Sequence, residues 1–147
     1  MAETPFQFRL VTPQRLVSEE DIVFLEAPGS EGYLGVLAHH APLITTLRPG
    51  RLDVRDRSGT TRHYAVSGGF LEVSDNRATV LADAVERSDQ IDASRAEASL
   101  RRAEERLREP SGISAAAGTA RAASPVDRAR AQRSLERARN RIAIIRS

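Results

Sequence analysis

The chain has 147 residues, 40% of them hydrophobic and 29% charged, with a net charge of +2, the proportions of a globular protein of one domain or of one small domain with an appendage. No apolar run approaches the roughly 20 residues of a membrane-spanning helix, and the opening MAETPFQFRL has neither a basic nor an apolar leader region, so neither membrane insertion nor export is expected. Cysteine and lysine are both absent and all 22 basic residues are arginine; this excludes disulfides, thiolate metal sites, Schiff-base lysines and a Walker-type loop, but leaves phosphate binding to arginine forks open.

In chain order, Phe6, Phe8 and Leu10 alternate with Gln7 and Arg9, which predicts an opening strand ended by Thr12-Pro13. Further short strands are predicted over Asp21 to Ala27, Ala41 to Thr46, Gly50 to Asp56, Arg62 to Val66, Gly69 to Ser74 and Arg77 to Leu81. Pro28-Gly29, Pro49-Gly50, Ser58-Gly59 and Asp75-Asn76 supply the turns between them. Short strands, close turns and no intervening helix pattern predict an antiparallel sandwich or barrel.

Nothing in this half carries catalytic chemistry. His39 and His40 are adjacent, and on a strand they point to opposite faces, so they cannot chelate one ion; His63 is the only other histidine and no metal site is expected. Gly29, Gly32 and Gly35 do not keep dinucleotide-loop spacing and read as a tight β-turn with an exposed tip. Ser67-Gly68-Gly69 lacks the preceding glycine of a nucleophile elbow and has no triad partners.

Composition changes near residue 86. Residues 1–86 hold 8 Arg against 12 Asp and Glu, net −4, and residues 87–147 hold 14 Arg against 8, net +6. The break divides the chain into a β-domain, 1–86, and a helical part, 87–147. Ala96, Leu100, Ala103 and Leu107 line one seam of a helix over 92–108; Ala131, Leu135, Ala138, Ile142 and Ile145 line a second. Ser124-Pro125-Val126-Asp127 reads as the start of the second helix. Residues 109–124 are rich in Gly, Ser, Ala and Pro and read as a flexible joint, so the helices form an antiparallel hairpin. Alanine-rich seams bury little area, which predicts a weakly held, mobile arm.

Arg95 and Arg102 share one face of the first helix, and Arg137 and Arg141 lie four apart on the second. Folded together they offer four guanidinium groups to one polyphosphate; alternatively they form a solvated face balanced by Glu97, Glu104, Glu105 and Glu136. Acids interleave with the arginines and the helices contain no aromatic residue, so nucleic-acid binding is not expected.

Taken together, Leu10-Val11-Thr12-Pro13, the stretch APGSEGYLGVLAHHAPLIT at 27–45, Leu47-Arg48-Pro49-Gly50, VSGGFLEV at 66–73 and TVLADA at 79–84 resemble the epsilon subunit of bacterial F-type ATP synthases. The resemblance implies an N-terminal flattened β-sandwich of about ten strands followed by a C-terminal helical hairpin. It further implies a rotor component without an active site or required cofactor, peripheral on the cytoplasmic side of the cell membrane. Its β-domain would grip the gamma subunit and touch the c-ring through the turn at Ser30, Glu31 and Tyr33 and through His40; an acidic residue is common in the family at the position of Tyr33.

The resemblance makes the hairpin the regulatory part, folded beside the β-domain or extended into the alpha/beta catalytic hexamer to block hydrolysis. In some members the folded hairpin binds ATP through an Ile/Leu-Asp-x-x-Arg-Ala motif, which here is Ile91-Asp92-Ala93-Ser94-Arg95-Ala96. By the same similarity, Glu86, Arg102, Arg137 and Arg141 join Ile91, Asp92, Arg95 and Ala96 as the expected regulatory ATP site. A purely structural coupling subunit that binds no nucleotide is the alternative.

Overall fold

The computed structural model describes residues 3–108 and 125–146; the expected joint, 109–124, and with it Ser124, lies outside the described residues. Seven strands come first: β1 (Phe6–Val11), β2 (Leu16–Gly29), β3 (Gly32–Val36), β4 (Leu43–Asp56), β5 (Thr61–Ser74), β6 (Arg77–Ala82) and β7 (Val85–Arg87). A single 3-10 turn, Ser88–Gln90, leads to α1 (Ala93–Arg108), and α2 (Pro125–Ile145) follows.

The strands are ordered β1-β6-β5-β4-β2-β3, and β1 also pairs with β2, so the sheet closes on itself around the core. β1 runs antiparallel to β2 and parallel to β6. That parallel edge departs from the all-antiparallel expectation. The hairpin from β1 to β2 fixes the direction of β1, and the gap it fills beside β6 must be closed in that direction.

β2, β4 and β5 are each 14 residues long. β4 and β5 each span what sequence reading divides into two, and β2 runs past both ends of the predicted Asp21 to Ala27, so seven strands build the sandwich for which about ten were expected. The bend is visible in the β4–β5 register, which passes from Leu47↔Gly69 to Pro49↔Ser67 and skips Arg48 and Gly68 together. Pro49-Gly50, expected as a turn, therefore lies inside β4. A proline is tolerated there because β2 leaves this stretch unpaired, its register jumping from Glu26↔Asp53 to Gly29↔Leu47. On β5, Gly69 has φ +134° and a Cβ there would stand 2.0 Å from the Leu81 carbonyl oxygen, so only glycine passes the bend.

Alternation does the rest. Phe6, Phe8 and Leu10 of β1 point inward with Ile22, Leu25, Leu52, Val54, Leu71, Val73, Ala78 and Val80 to form one core. Each large apolar side chain so buried contributes about 1.5–3 kcal/mol, which makes the sandwich the stable part of the molecule. β3, read from sequence as part of an exposed turn, pairs with the end of β2. β7 pairs with Tyr64 to Val66 of β5 and straddles residue 86, where the charge balance changes.

In the hairpin Ala96 and Ala103 of α1 are buried with Ala131, Leu135 and Ala138 of α2, while Leu100, Leu107 and Ile142 are half-buried. Ile145, expected to end the second seam, is exposed and Ile144 is buried instead. The reason is a change of partner. At 100° per residue Ala131, Leu135 and Ala138 face α1, but Asn140, Arg141 and Ile144 lie on another side of α2, which rests on β4 and β5. The helix serves two surfaces, and the second takes over at its C-terminal end.

Candidate functional site

Asp92 precedes the first residue of α1 and caps it: its Oδ1 accepts the backbone N–H of Arg95 at 3.0 Å and the hydroxyl of Ser94 at 2.8 Å. The Arg95 N–H, aided by the Ser94 hydroxyl, holds the Asp92 carboxyl below the usual carboxylate range. Ala96, one turn later, lies in the seam against α2. Two residues of the Ile91-to-Ala96 motif thus have structural work, the seam position of Ala96 as its spacing predicts and the cap at Asp92 in addition. Arg95 remains exposed beside them.

On α1, Arg95, Ser99, Arg102 and Arg106 recur at helical spacing along one side; on α2, Ser134, Arg137 and Arg141 do the same. The antiparallel hairpin turns these rows toward a common groove. One cavity of about 240 Å³ is lined by Glu86, Ile91, Asp92, Arg95, Ala96, Arg102 and Arg141 among others. An adjoining cavity of about 400 Å³ includes Arg102, Arg106, Arg137 and Arg141. Ser99, Arg102 and Arg141 line both cavities, so all eight residues singled out from sequence for nucleotide lie along one groove.

The electrostatics of that groove are uneven. Arg141 is occupied: its Nε donates to Glu86 Oε2 at 2.5 Å and its Nη2 to Glu86 Oε1 at 2.8 Å. Arg102 and Arg137 donate to the neutral hydroxyls of Ser99 and Ser134, at 3.3 and 3.2 Å. Among the described residues, no ion pair engages Arg95, Arg102, Arg106 or Arg137. Two of the four acids expected to balance them have other partners: Glu104 reaches Arg139 at 3.9 Å, and Glu136 accepts from Gln132 at 3.3 Å. The groove is a concentration of guanidinium charge with capacity for an anion.

The residues expected at the c-ring fall into two places. Ser30 and Glu31 are exposed in the turn between β2 and β3, with the Ser30 N–H bonded to the Thr46 carbonyl at 3.0 Å. Tyr33, on β3, is half exposed; its hydroxyl accepts the Arg51 N–H at 3.2 Å, and the Arg48 guanidinium lies 5.9 Å from its ring centre. His40 lies beyond the other end of the five-residue β3, in a turn and not on a strand, donating through Nδ1 to the Ala41 carbonyl at 2.7 Å. That turn is pinned by Asn76, whose Oδ1 accepts the His39 N–H at 2.8 Å and whose Nδ2 donates to the Pro5 carbonyl at 3.3 Å.

One surface went unread in the sequence. Ile44, Phe70 and Leu81 are 75%, 52% and 48% exposed. Phe70 is paired with Leu81 and Thr46, and Ile44 lies diagonally from Phe70 two residues along β4. They form an apolar strip on the outside of the sandwich. The signal was present: Phe70-Leu71 and Val80-Leu81-Ala82 put apolar residues on both faces of their strands, and one face suffices for the core.

Among the described residues no group of His, Asp and Glu could hold a metal ion. The buried carboxylate of Asp53 is neutralised by Arg51 at 2.9 Å and bonded to His63 Nδ1 at 2.7 Å. No described helix is long and apolar enough to cross a membrane.

Comparison with known proteins gives agreement in both halves of the chain. Residues 5–88 match the family described as "ATP synthase, Delta/Epsilon chain, beta-sandwich domain", and residues 89–146 match "ATP synthase, Delta/Epsilon chain, long alpha-helix domain". The chain is 54% identical over 107 residues to the ATP synthase epsilon chain of Pelotomaculum thermopropionicum, covering 73% of this chain and 79% of that one. It is 50% identical over 107 residues to the epsilon chain of Desulforamulus reducens, covering 73% and 80%. Among solved structures, a chain of the Euglena gracilis mitochondrial ATP synthase (OSCP/F1/c-ring) superposes with a TM-score of 0.79 at 22% identity, over 95% of this chain and 80% of that one. A chain of the Tetrahymena thermophila mitochondrial ATP synthase central stalk and c-ring superposes with a TM-score of 0.62 at 14% identity, over 99% of each.

Proposed function

Since the chain belongs to the ATP synthase delta/epsilon family, as a non-catalytic epsilon subunit of the central stalk, we propose that it couples gamma to the c-ring and regulates ATP hydrolysis through a hairpin that holds ATP. It works at the cytoplasmic face of the cell membrane, in a synthase driven by protons or sodium ions. The carrying observation is the groove between α1 and α2, where, among the described residues, no ion pair engages Arg95, Arg102 or Arg137 beside the paired Arg141.

The sequence of events is a population shift. ATP laid along the groove bridges the arginines of α1 and α2 and favours the closed hairpin. When ATP is scarce the hairpin opens and extends into the alpha/beta catalytic hexamer. The ligand shifts this balance only by its differential affinity for the two forms. Alanine-rich seams support such a balance, because little apolar area has to be exposed on opening. Gamma seats on the apolar strip of Ile44, Phe70 and Leu81, and the c-ring meets Ser30, Glu31, Tyr33 and His40.

The structural-coupling alternative also has observations in its favour. Asp92 is explained by its cap, Ala96 by the seam and Arg141 by Glu86, so these three residues need no ligand to account for them.

Hydrolysis by a catalytic complex depleted of this subunit, with the purified chain added back at low and at high ATP, separates the two readings. Inhibition at low ATP that is relieved at high ATP is expected. Binding to the complex without a change in rate supports structural coupling alone, and no binding removes the proposed coupling role.

A further inference from the structure

α2 rests on the sandwich at the place where β4 and β5 bend, and polar contacts of two kinds join them there. One is the Arg141–Glu86 pair, whose side chains are 30% and 40% exposed. The other is Asn140. Its Nδ2 donates to the Gly50 carbonyl at 2.8 Å and lies 3.4 Å from the Val66 carbonyl. Gly50 and Val66 are direct cross-strand partners, so the amide sits astride the β4–β5 ladder. Both are buried, and their backbone position is fixed by the core.

These contacts differ in kind. A half-exposed ion pair contributes little and is screened by salt, and Arg141 is also one of the arginines that a bound anion would engage. Asn140 is neutral, bonds only to main chain and does not line either cavity of the arginine groove. Beside it, Ile144 supplies buried apolar contact but no direction. We infer that Asn140 is the positioning residue that registers the hairpin on the β-sandwich, a clasp whose hold is independent of whatever occupies the groove. The inference rests on the mobile-hairpin reading only for its regulatory consequence; the docking itself stands apart from ATP.

The test uses the absence of cysteine in the chain. Cysteines placed at two exposed positions, Arg57 in the β4–β5 turn and Arg133 on α2, carry spin labels in the full-length protein without background. Their distance distribution is measured with Asn140, with Asn140→Ala and with Asn140→Asp. The aspartate keeps the shape but, ionised, cannot donate and sets a charge against two carbonyl oxygens. A single narrow distance is expected for the parent in saturating ATP. The docked-to-free ratio should fall on the order of tenfold in Asn140→Ala and further in Asn140→Asp, with the far-ultraviolet signal of the helices unchanged. Recovery of the narrow distance in Asn140→Asp near pH 3, where the carboxyl regains a donor, would mark the hydrogen bond and not packing as the cause.

A parent-like distance in both variants overturns the inference, as does a broad distance in the parent in saturating ATP. Loss of helical signal along with the distance would assign Asn140 to hairpin folding and overturn it too. Removing ATP from the same labelled proteins keeps the two readings separate: a parent distance that stays narrow without ATP retains this inference while the ATP-sensing reading fails, and one that broadens only without ATP retains both.

Discussion

Arg141 of α2 and Glu86 of β7, 55 residues apart, meet through both edges of the guanidinium, with Nε at 2.5 Å and Nη2 at 2.8 Å from the two carboxylate oxygens. The pair ties the hairpin to the last strand of the sandwich and leaves Arg102 and Arg137 without an ion pair among the described residues. Bonded there to serine hydroxyls, these two can meet a phosphate without first breaking such a pair.

Replacing Arg102 or Arg137 with alanine is accordingly expected to weaken ATP binding by about 1.5–3 kcal/mol each, the value of a charge-assisted hydrogen bond. Calorimetric titration of the full chain with ATP at fixed salt measures it. Affinities equal to the parent in both variants would take nucleotide out of this groove.

The outward strip makes a prediction about assembly. Phe70→Asp changes a half-exposed side chain that the core does not need, so the isolated protein should melt within about 0.5 kcal/mol of the parent. Its recovery in complex with gamma should fall sharply. A variant that assembles normally would show that gamma seats on another face.

Gly69 is the most constrained point of the bend, with φ at +134° and a would-be Cβ 2.0 Å from the Leu81 carbonyl oxygen. Gly69→Ala must displace the β5–β6 ladder, and a loss of roughly 3 kcal/mol or more is expected, beyond the usual range for a surface substitution. Urea unfolding of the two proteins gives the difference. Gly59, at φ +86° in a turn with open space around it, carries the backbone strain without the clash, so Gly59→Ala is the control that isolates the clash.

Asp92 predicts an acid-sensitive helix start. Its carboxyl is depressed in the folded state by the Arg95 N–H and the Ser94 hydroxyl, so its contribution is present above the unfolded-state value and is lost as pH falls through the folded one. Helical content followed from about pH 6 down to about pH 2 should fall in the acid range, below the usual aspartate value of about 3.9. Asp92→Asn, which still accepts a hydrogen bond but does not titrate, should flatten that part of the curve. An unaltered acid transition would assign it to other carboxylates.

Much of the fold was legible because alternation is a local property. Phe6, Phe8 and Leu10 announced β1, and Ala96 and Ala103 announced the inner seam of α1. The departures come where remote partners decide. Pro49-Gly50 reads as a turn, yet the unpaired gap beside β2 absorbs the proline and lets β4 run on. Tyr33 and Leu34 read as part of a turn, yet the end of β2 offers them an edge to pair with. Ile145 fits the helical period, but α2 changes neighbours near its end and buries Ile144.

By itself the sequence determined the change of chemistry near residue 86, the all-arginine usage and the placing of Arg95 with Arg102 and of Arg137 with Arg141 on their helices, since each follows from residue type, charge count and spacing along one element, whereas Glu86, Ile91, Asp92 and Ala96 were joined to them by the family resemblance. Only the tertiary structure decided which arginines go without an ion pair among the described residues, and that Asn140 reaches Gly50 90 residues away. Those are relations between atoms that the chain brings together only by closing its sheet and laying α2 across the bend, and no periodicity carries information about a contact of that range.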